Sequence, residues 1–127
     1  MLYKIYPLIK LDRRKDSEAC VNIEFRELGD HKIIDVSGEV DLYNVSDLKK
    51  ALFSITDGQF KSVIVDMKKV NYMDSSGIGA LVAGMKKMKA HNGKFALMNI
   101  HDDVLNILKL ATLDKFFTIY DSEDELV

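Results

Sequence analysis

An α/β domain is expected, with a mixed, largely parallel sheet begun by an antiparallel hairpin and helices packed on it. Two observations predict it. Short alternating or β-branched apolar runs are separated by stretches whose apolar residues recur at three and four, and turn residues mark the junctions. Strands alternating with helices of this length imply right-handed crossovers and parallel pairing. The 127 residues are enough for one core and too few for two.

Val21, Ile23 and Phe25 alternate with Asn22, Glu24 and Arg26, the period of a strand with one buried face. Gly29, Asp30 and His31 signal a turn before Ile33, Ile34, Val36 and Ser37, so the first two strands are expected as a hairpin whose second member ends at Gly38. Val45, Leu48, Leu52 and Ile55 trace the first helix, with Asn44 and Asp47 approximating a capping box and Gly58 a stop. Val63, Ile64 and Val65 read as a central strand covered on both faces. Asp66 is expected to begin a polar exit, or to face outward if the strand reaches Met67.

After Val70, Asn71, Tyr72 and Met73, the run Asp74, Ser75, Ser76, Gly77 opens a second helix with the stripe Ile78, Leu81, Val82, Met85 and Met88. Asn92 and Gly93 close it. Residues 94–100 supply a further buried strand through Phe95, Ala96, Leu97 and Met98. Asp102 and Asp103 suit the positive end of a third helix, with Val104, Leu105, Leu108 and Ala111 as its stripe. A last strand over 116–120 follows, and Ser122 with Glu125 suits a closing helical turn.

Composition narrows the function. With 47% hydrophobic and 30% charged residues the chain is ordinary globular protein, and its 18 basic against 20 acidic residues leave no positive field for a nucleic acid backbone. Residues 1–15 hold five of the basic residues and one acid, leaving the remainder at about −6, with four acids within 121–125. The single cysteine, Cys20, permits no internal disulfide and fits a reducing, cytoplasmic compartment. No stretch approaches the roughly 20 apolar residues of a membrane span. The apolar start is interrupted by Lys4, Pro7 and Lys10, with no small-residue cleavage site after it. Residues 1–19 therefore read as an N-terminal arm, a frayed end or an expression tail, and 20–127 as the domain.

The run from Asp74 to Gly77 falls where open α/β sheets place ligands and partners, beyond a strand's carboxyl end. Taken alone, it is explained by capping. If Asp74 caps, the Ser75 hydroxyl is free to face solvent; if Ser75 caps, its oxygen is occupied. Either way a helix N-terminus tolerates an anion, so phosphorylation there would leave the fold intact.

Other chemistries fit poorly. Gly77 and Gly79 begin a dinucleotide-type pattern that Val82 breaks, and no phosphate-binding loop is present. Met73 stands where a hydrolase nucleophile elbow needs glycine, and nothing brings His91 or His101 to Ser75. His31, His91 and His101 lack ligand spacing, so no metal is expected. Met85 and Met88 belong to a core stripe and call for no cofactor. Lys86, Lys87 and Lys89 read as the solvated face of the second helix, or a surface for an acidic partner.

As a whole the pattern resembles the STAS domain of bacterial anti-sigma factor antagonists over about residues 21–120. The resemblance rests on Ser37-Gly38-Glu39-Val40-Asp41, then Val63-Ile64-Val65-Asp66, then Tyr72-Met73-Asp74-Ser75-Ser76-Gly77-Ile78-Gly79, and on Leu110-Ala111-Thr112-Leu113-Asp114-Lys115-Phe116-Phe117. It implies a non-enzymatic switch. Unphosphorylated, such a protein binds an anti-sigma factor with serine kinase activity and so frees a sigma factor; a separate serine phosphatase resets it. Matched to this chain, Ser75 is the phosphorylated residue, Asp74 its positioning neighbour and Asp41 a partner-facing position. Ser76 and Gly77 complete the expected partner surface, Gly77 by leaving the helix entrance uncluttered. STAS domains also serve other signalling and transport assemblies or bind small ligands, which is the alternative.

Overall fold

The computed structural model describes residues 6–7, 21–58 and 60–126. In chain order the elements are β1 (Tyr6–Pro7), β2 (Val21–Leu28), β3 (His31–Val40), α1 (Val45–Thr56), β4 (Ser62–Met73), α2 (Ser75–Ala90), β5 (Lys94–Met98), α3 (Asp102–Leu110), β6 (Thr118–Tyr120) and a 3₁₀ turn (Glu123–Leu126). The sheet follows the same order, β1 to β6. β2 is antiparallel to β1 and β3, and β3 to β6 run parallel. Three crossovers of one hand, all stepping the same way, put the three helices on one face. Of the N-terminal arm, Tyr6 and Pro7 pair with Phe25 and Glu24 at the sheet edge, where proline is tolerated. The rest of the arm, and Cys20, lie outside the described residues.

The hairpin turns at Gly29, whose φ of 61° is open to glycine at no steric cost. Val21, Ile23 and Phe25 then face the helices with Ile34 and Val36 of β3, Val63 and Val65 of β4, and Leu97 of β5. The opposite face carries Leu28, Ile33, Ile64, Ala96 and Met98, against which Tyr120 and Leu126 pack. The central strand is thus buried on both sides, as its continuous β-branched run implies.

The observed β4 departs from the expected strand. It is 12 residues long, and the register skips a residue between Asp66 and Lys69 and again between Val70 and Tyr72. Each skip places an extra residue in β4 and reverses which side chains point inward. Met67, Val70 and Met73, three apart, are therefore all buried.

Asp66 is accordingly neither an exit nor outward-facing: it is 8% exposed, on the helix-free face. Gly38 does not end β3 either; with a φ of 106° it sits at the second irregularity, and the strand continues to Val40. The capping box is likewise replaced. Asn44 precedes α1 without a side-chain cap; its Oδ1 accepts from the Asp41 amide and its Nδ2 donates to the Glu39 carbonyl.

α2 and α3 both close with a left-handed residue followed by a backward hydrogen bond. Gly93 N donates to the Met88 carbonyl at 2.7 Å after Asn92, and Leu113 N to that of Leu108 at 2.8 Å after Thr112. Ala111 of the expected third stripe is exposed beyond that end, and β6 begins at Thr118, with Phe117 buried just before it.

Candidate functional site

β5 pairs with β4 only as far as Met98 opposite Asp66, so the second half of β4 continues with β3 alone. At the tip of this two-strand extension the loops after β3 and β4 meet. Asp74 N donates to the Val40 carbonyl at 3.1 Å, and Leu42 N donates to Asp74 Oδ2 at 3.2 Å.

Asp74 is the cap of α2, with extended backbone and a side chain turned over the first turn. Its Oδ1 accepts from Ser76 N at 2.9 Å, from Ser76 Oγ at 2.5 Å and from Gly77 N at 3.4 Å. The Ser76 hydroxyl, with the amides of Gly77, Ser76 and Leu42, holds the Asp74 carboxyl below the usual carboxylate range against the opposing effect of burial. It is ionised at neutral pH.

The two capping alternatives are thereby separated. Ser75 occupies the first helical position, is exposed, and its hydroxyl has no hydrogen-bond partner among the described residues. The Ser76 hydroxyl is committed to Asp74. Gly77 is buried: an added Cβ would lie 2.5 Å from Met73 Cγ and 2.9 Å from Val40 Cγ1. Its bareness lets the first turn of α2 close on the ends of β3 and β4, a reason interior to the domain.

Asp41 organises the neighbouring loop. Its Oδ1 accepts from Tyr43 N at 2.9 Å and Asn44 N at 3.2 Å, the local turn that aspartate side chains favour. Asp41, Asp74, Ser75, Ser76 and Gly77 thus stand on two abutting loops joined through Leu42. Sequence reasoning passed over Leu42 and Tyr43, 70% and 90% exposed. The available signal was two large apolar residues between Asp41 and Asn44 that neither a strand nor a helical stripe claims.

Residues outside this tip are tied to the scaffold. His31 Nδ1 lies 2.8 Å from Ser62 Oγ, His91 Nε2 3.1 Å from the Thr56 carbonyl, and His101 Nε2 2.6 Å from the Lys68 carbonyl. Lys87 joins α2 to the end of α1 through Asp57 at 2.9 Å and lies over the Phe53 ring. On the helix-free face Arg26 reaches Asp35, Asp66 and Glu123, at 2.7, 3.0 and 2.8 Å. Among the described residues no helix is long and apolar enough to cross a membrane, and no group of His, Cys, Asp and Glu is arranged to hold a metal ion.

The profile of the STAS domain matches residues 22–126. The anti-sigma-B factor antagonist of Listeria monocytogenes is 28% identical over 109 residues, covering 84% of this chain and 94% of that protein. The crystal structure of an anti-sigma factor antagonist from Mycobacterium paratuberculosis superposes with a TM-score of 0.78 at 21% identity, covering 86% of this chain and 92% of that one. The Bacillus cell fate determinant SpoIIAA in its phosphorylated form superposes at 0.65 and 20% identity, covering 82% and 95%. The first two are named for antagonising anti-sigma factors. With a mixed sheet, helices on one face and a matching profile over most of its length, this chain belongs to the STAS domain family.

Proposed function

We propose that the chain is an anti-sigma factor antagonist whose Ser75 surface docks an anti-sigma factor with serine kinase activity, and that phosphorylation of Ser75 ends the complex. The observation that carries this reading is the Ser75 hydroxyl, exposed and without a hydrogen-bond partner among the described residues, beside a cap supplied by Asp74. The relative from Listeria monocytogenes, named an anti-sigma-B factor antagonist, supports the same assignment.

The charge logic follows from the cap. A phosphate adds about −1.5 to −2 charge at neutral pH. The amides of Ser76 and Gly77, which would otherwise receive it, already donate to Asp74. The phosphate therefore remains a surface charge beside an ionised carboxylate, facing the partner, and the helix keeps its cap. A docking penalty of about 3 kcal/mol weakens binding on the order of 100-fold. Bound, the chain sequesters the anti-sigma factor and frees a sigma factor in the cytoplasm. It turns over no substrate; the partner consumes ATP, and a separate serine phosphatase restores the hydroxyl.

The test uses the purified chain and the purified anti-sigma factor kinase encoded by the same genome. By calorimetry, Ser75→Ala binds as the unmodified chain does and Ser75→Asp binds about 100-fold more weakly. With Mg-ATP, mass spectrometry finds one phosphate, on Ser75. Equal affinities of the two variants would sink the charge mechanism, and phosphate on Ser76 would overturn the site.

A further inference from the structure

Leu42 and Tyr43 combine two properties seldom found together, an ordered backbone and a solvent-facing apolar side chain. Leu42 N is held by Asp74 Oδ2 at 3.2 Å and Tyr43 N by Asp41 Oδ1 at 2.9 Å. Their side chains are 70% and 90% exposed. The domain's own core gains little from either. An apolar group whose backbone is already fixed loses less entropy on docking than one on a free loop.

The loop that carries them and the first turn of α1 are acidic, with the lysines Lys49 and Lys50 only beyond. From Glu39 to Leu48 the chain contains no lysine or arginine, while Glu39, Asp41 and Asp47 supply three carboxylates and the abutting Asp74 a fourth. Tyr72, half exposed, is the register partner of Glu39 on the adjoining strand. Water-facing aromatic residues within a charged frame match the anatomy of an interface, with an apolar centre and a polar rim.

We infer that Leu42 and Tyr43 are the hydrophobic anchor of the docked complex, received by an apolar recess on the partner that is edged by lysine or arginine. This inference rests on the proposed function, because the occupant is the same anti-sigma factor kinase, and it assigns work that Ser75 does not do. Ser75 decides by charge whether the complex is permitted. The anchor supplies its lifetime, since desolvated apolar contacts act mainly on dissociation and rim charges mainly on association. The Asp74 carboxylate bonds to both the α2 first turn and the Leu42 amide, so switch and anchor share one footprint.

Surface plasmon resonance with the immobilised, purified kinase of the same genome separates these roles. Tyr43→Ser and Leu42→Ser should each weaken Kd by about 30-fold or more, chiefly through faster dissociation. Asp47→Asn should instead slow association and flatten its dependence on salt. Because the two anchor side chains are exposed, unchanged urea midpoints for these variants verify the fold. If Tyr43→Ser and Leu42→Ser bind like the unmodified chain while Ser75→Asp does not, the anchor is overturned and the proposed function stands. If the anchor variants fail and Ser75→Asp binds normally, the anchor stands and the charge switch is wrong. No binding by the unmodified chain overturns both.

Discussion

Asp35 and Asp66 are direct register partners across the β3–β4 ladder, and one guanidinium, that of Arg26, bonds to both. Like charges in such a pair repel, and the Arg26 and Asp66 side chains are only 12% and 11% exposed. Arg26 also reaches Glu123 and so ties the C-terminal turn to the sheet.

Arg26→Met should therefore destabilise the domain by about 2–3 kcal/mol, because Asp35 and Asp66 lose their shared cation, while Asp66 keeps the Lys68 amide and the Asn99 side chain and Asp35 keeps some solvent. The triple variant Arg26→Met, Asp35→Asn, Asp66→Asn should recover most of that loss. Urea denaturation of the three proteins measures both effects. A cost under about 1 kcal/mol for Arg26→Met would show that the cluster is already well hydrated.

The same cluster predicts a pH dependence of unusual sign for an aspartate. Burial, assisted by neighbouring Asp66, raises the Asp35 carboxyl above its ordinary value despite the opposing pull of Arg26. A raised folded-state value means that the native state binds the proton more tightly than the unfolded chain. The Asp35 contribution is thus fully present below the unfolded value and is lost as pH rises through the folded one. Asp35→Asn should remove that decline, seen as a flatter stability curve in mildly acid buffers. An unchanged slope would assign the titration elsewhere.

Asp74 behaves in the opposite sense. Its lowered carboxyl gives stability that is present above the unfolded value and lost only as pH falls through the depressed folded one. Asp74→Ala should cost about 1–2 kcal/mol at neutral pH through loss of the helix cap. Amide exchange should accelerate together at Ser76, Gly77 and Leu42, all of which donate to this side chain. Faster exchange confined to the helix would mean that the Leu42 loop is held by other contacts.

Two glycines two residues apart in α2, on different sides of the helix, should respond to alanine with opposite signs. At Gly77 the new methyl meets Met73 and Val40, and Gly77→Ala should destabilise by about 1–3 kcal/mol. At Gly79 nothing lies within 4 Å, so Gly79→Ala should stabilise by about 0.5–1 kcal/mol through helix propensity. Thermal melts of the two variants suffice, and melting shifts of the same sign would contradict the packing described here.

Much of this was readable from residue order. The alternation of Val21, Ile23 and Phe25 and the stripe of Val45, Leu48, Leu52 and Ile55 each identified an element, because a single buried face imposes a single period. Asp74 to Gly77 was legible as a helix start, although choosing between Asp74 and Ser75 as cap required the position of one carboxylate. The second half of β4 was lost because its skipped residues replace a period of two by a spacing of three. Asp66 was misplaced because its partner Arg26 is 40 residues away, on a strand reached only through the hairpin. Leu42 and Tyr43 belong to neither a strand alternation nor a helical stripe, and that local signal shows only that no element claims them; their exposure depends on how the two loops pack.

Those skipped residues also govern how the tip tolerates changes of chain length. The exposed pairs Lys68 with Lys69 and Asn71 with Tyr72 each share the outer side of β4, so either pair could lose one residue and Met67, Val70 and Met73 would still face the core. In the regular first half of the strand there is no such slack. A one-residue shift there would turn Val63 and Val65 away from the helices and bring polar neighbours in. Changes of chain length are thus absorbed at the tip that carries the switch and resisted at the base that supports it.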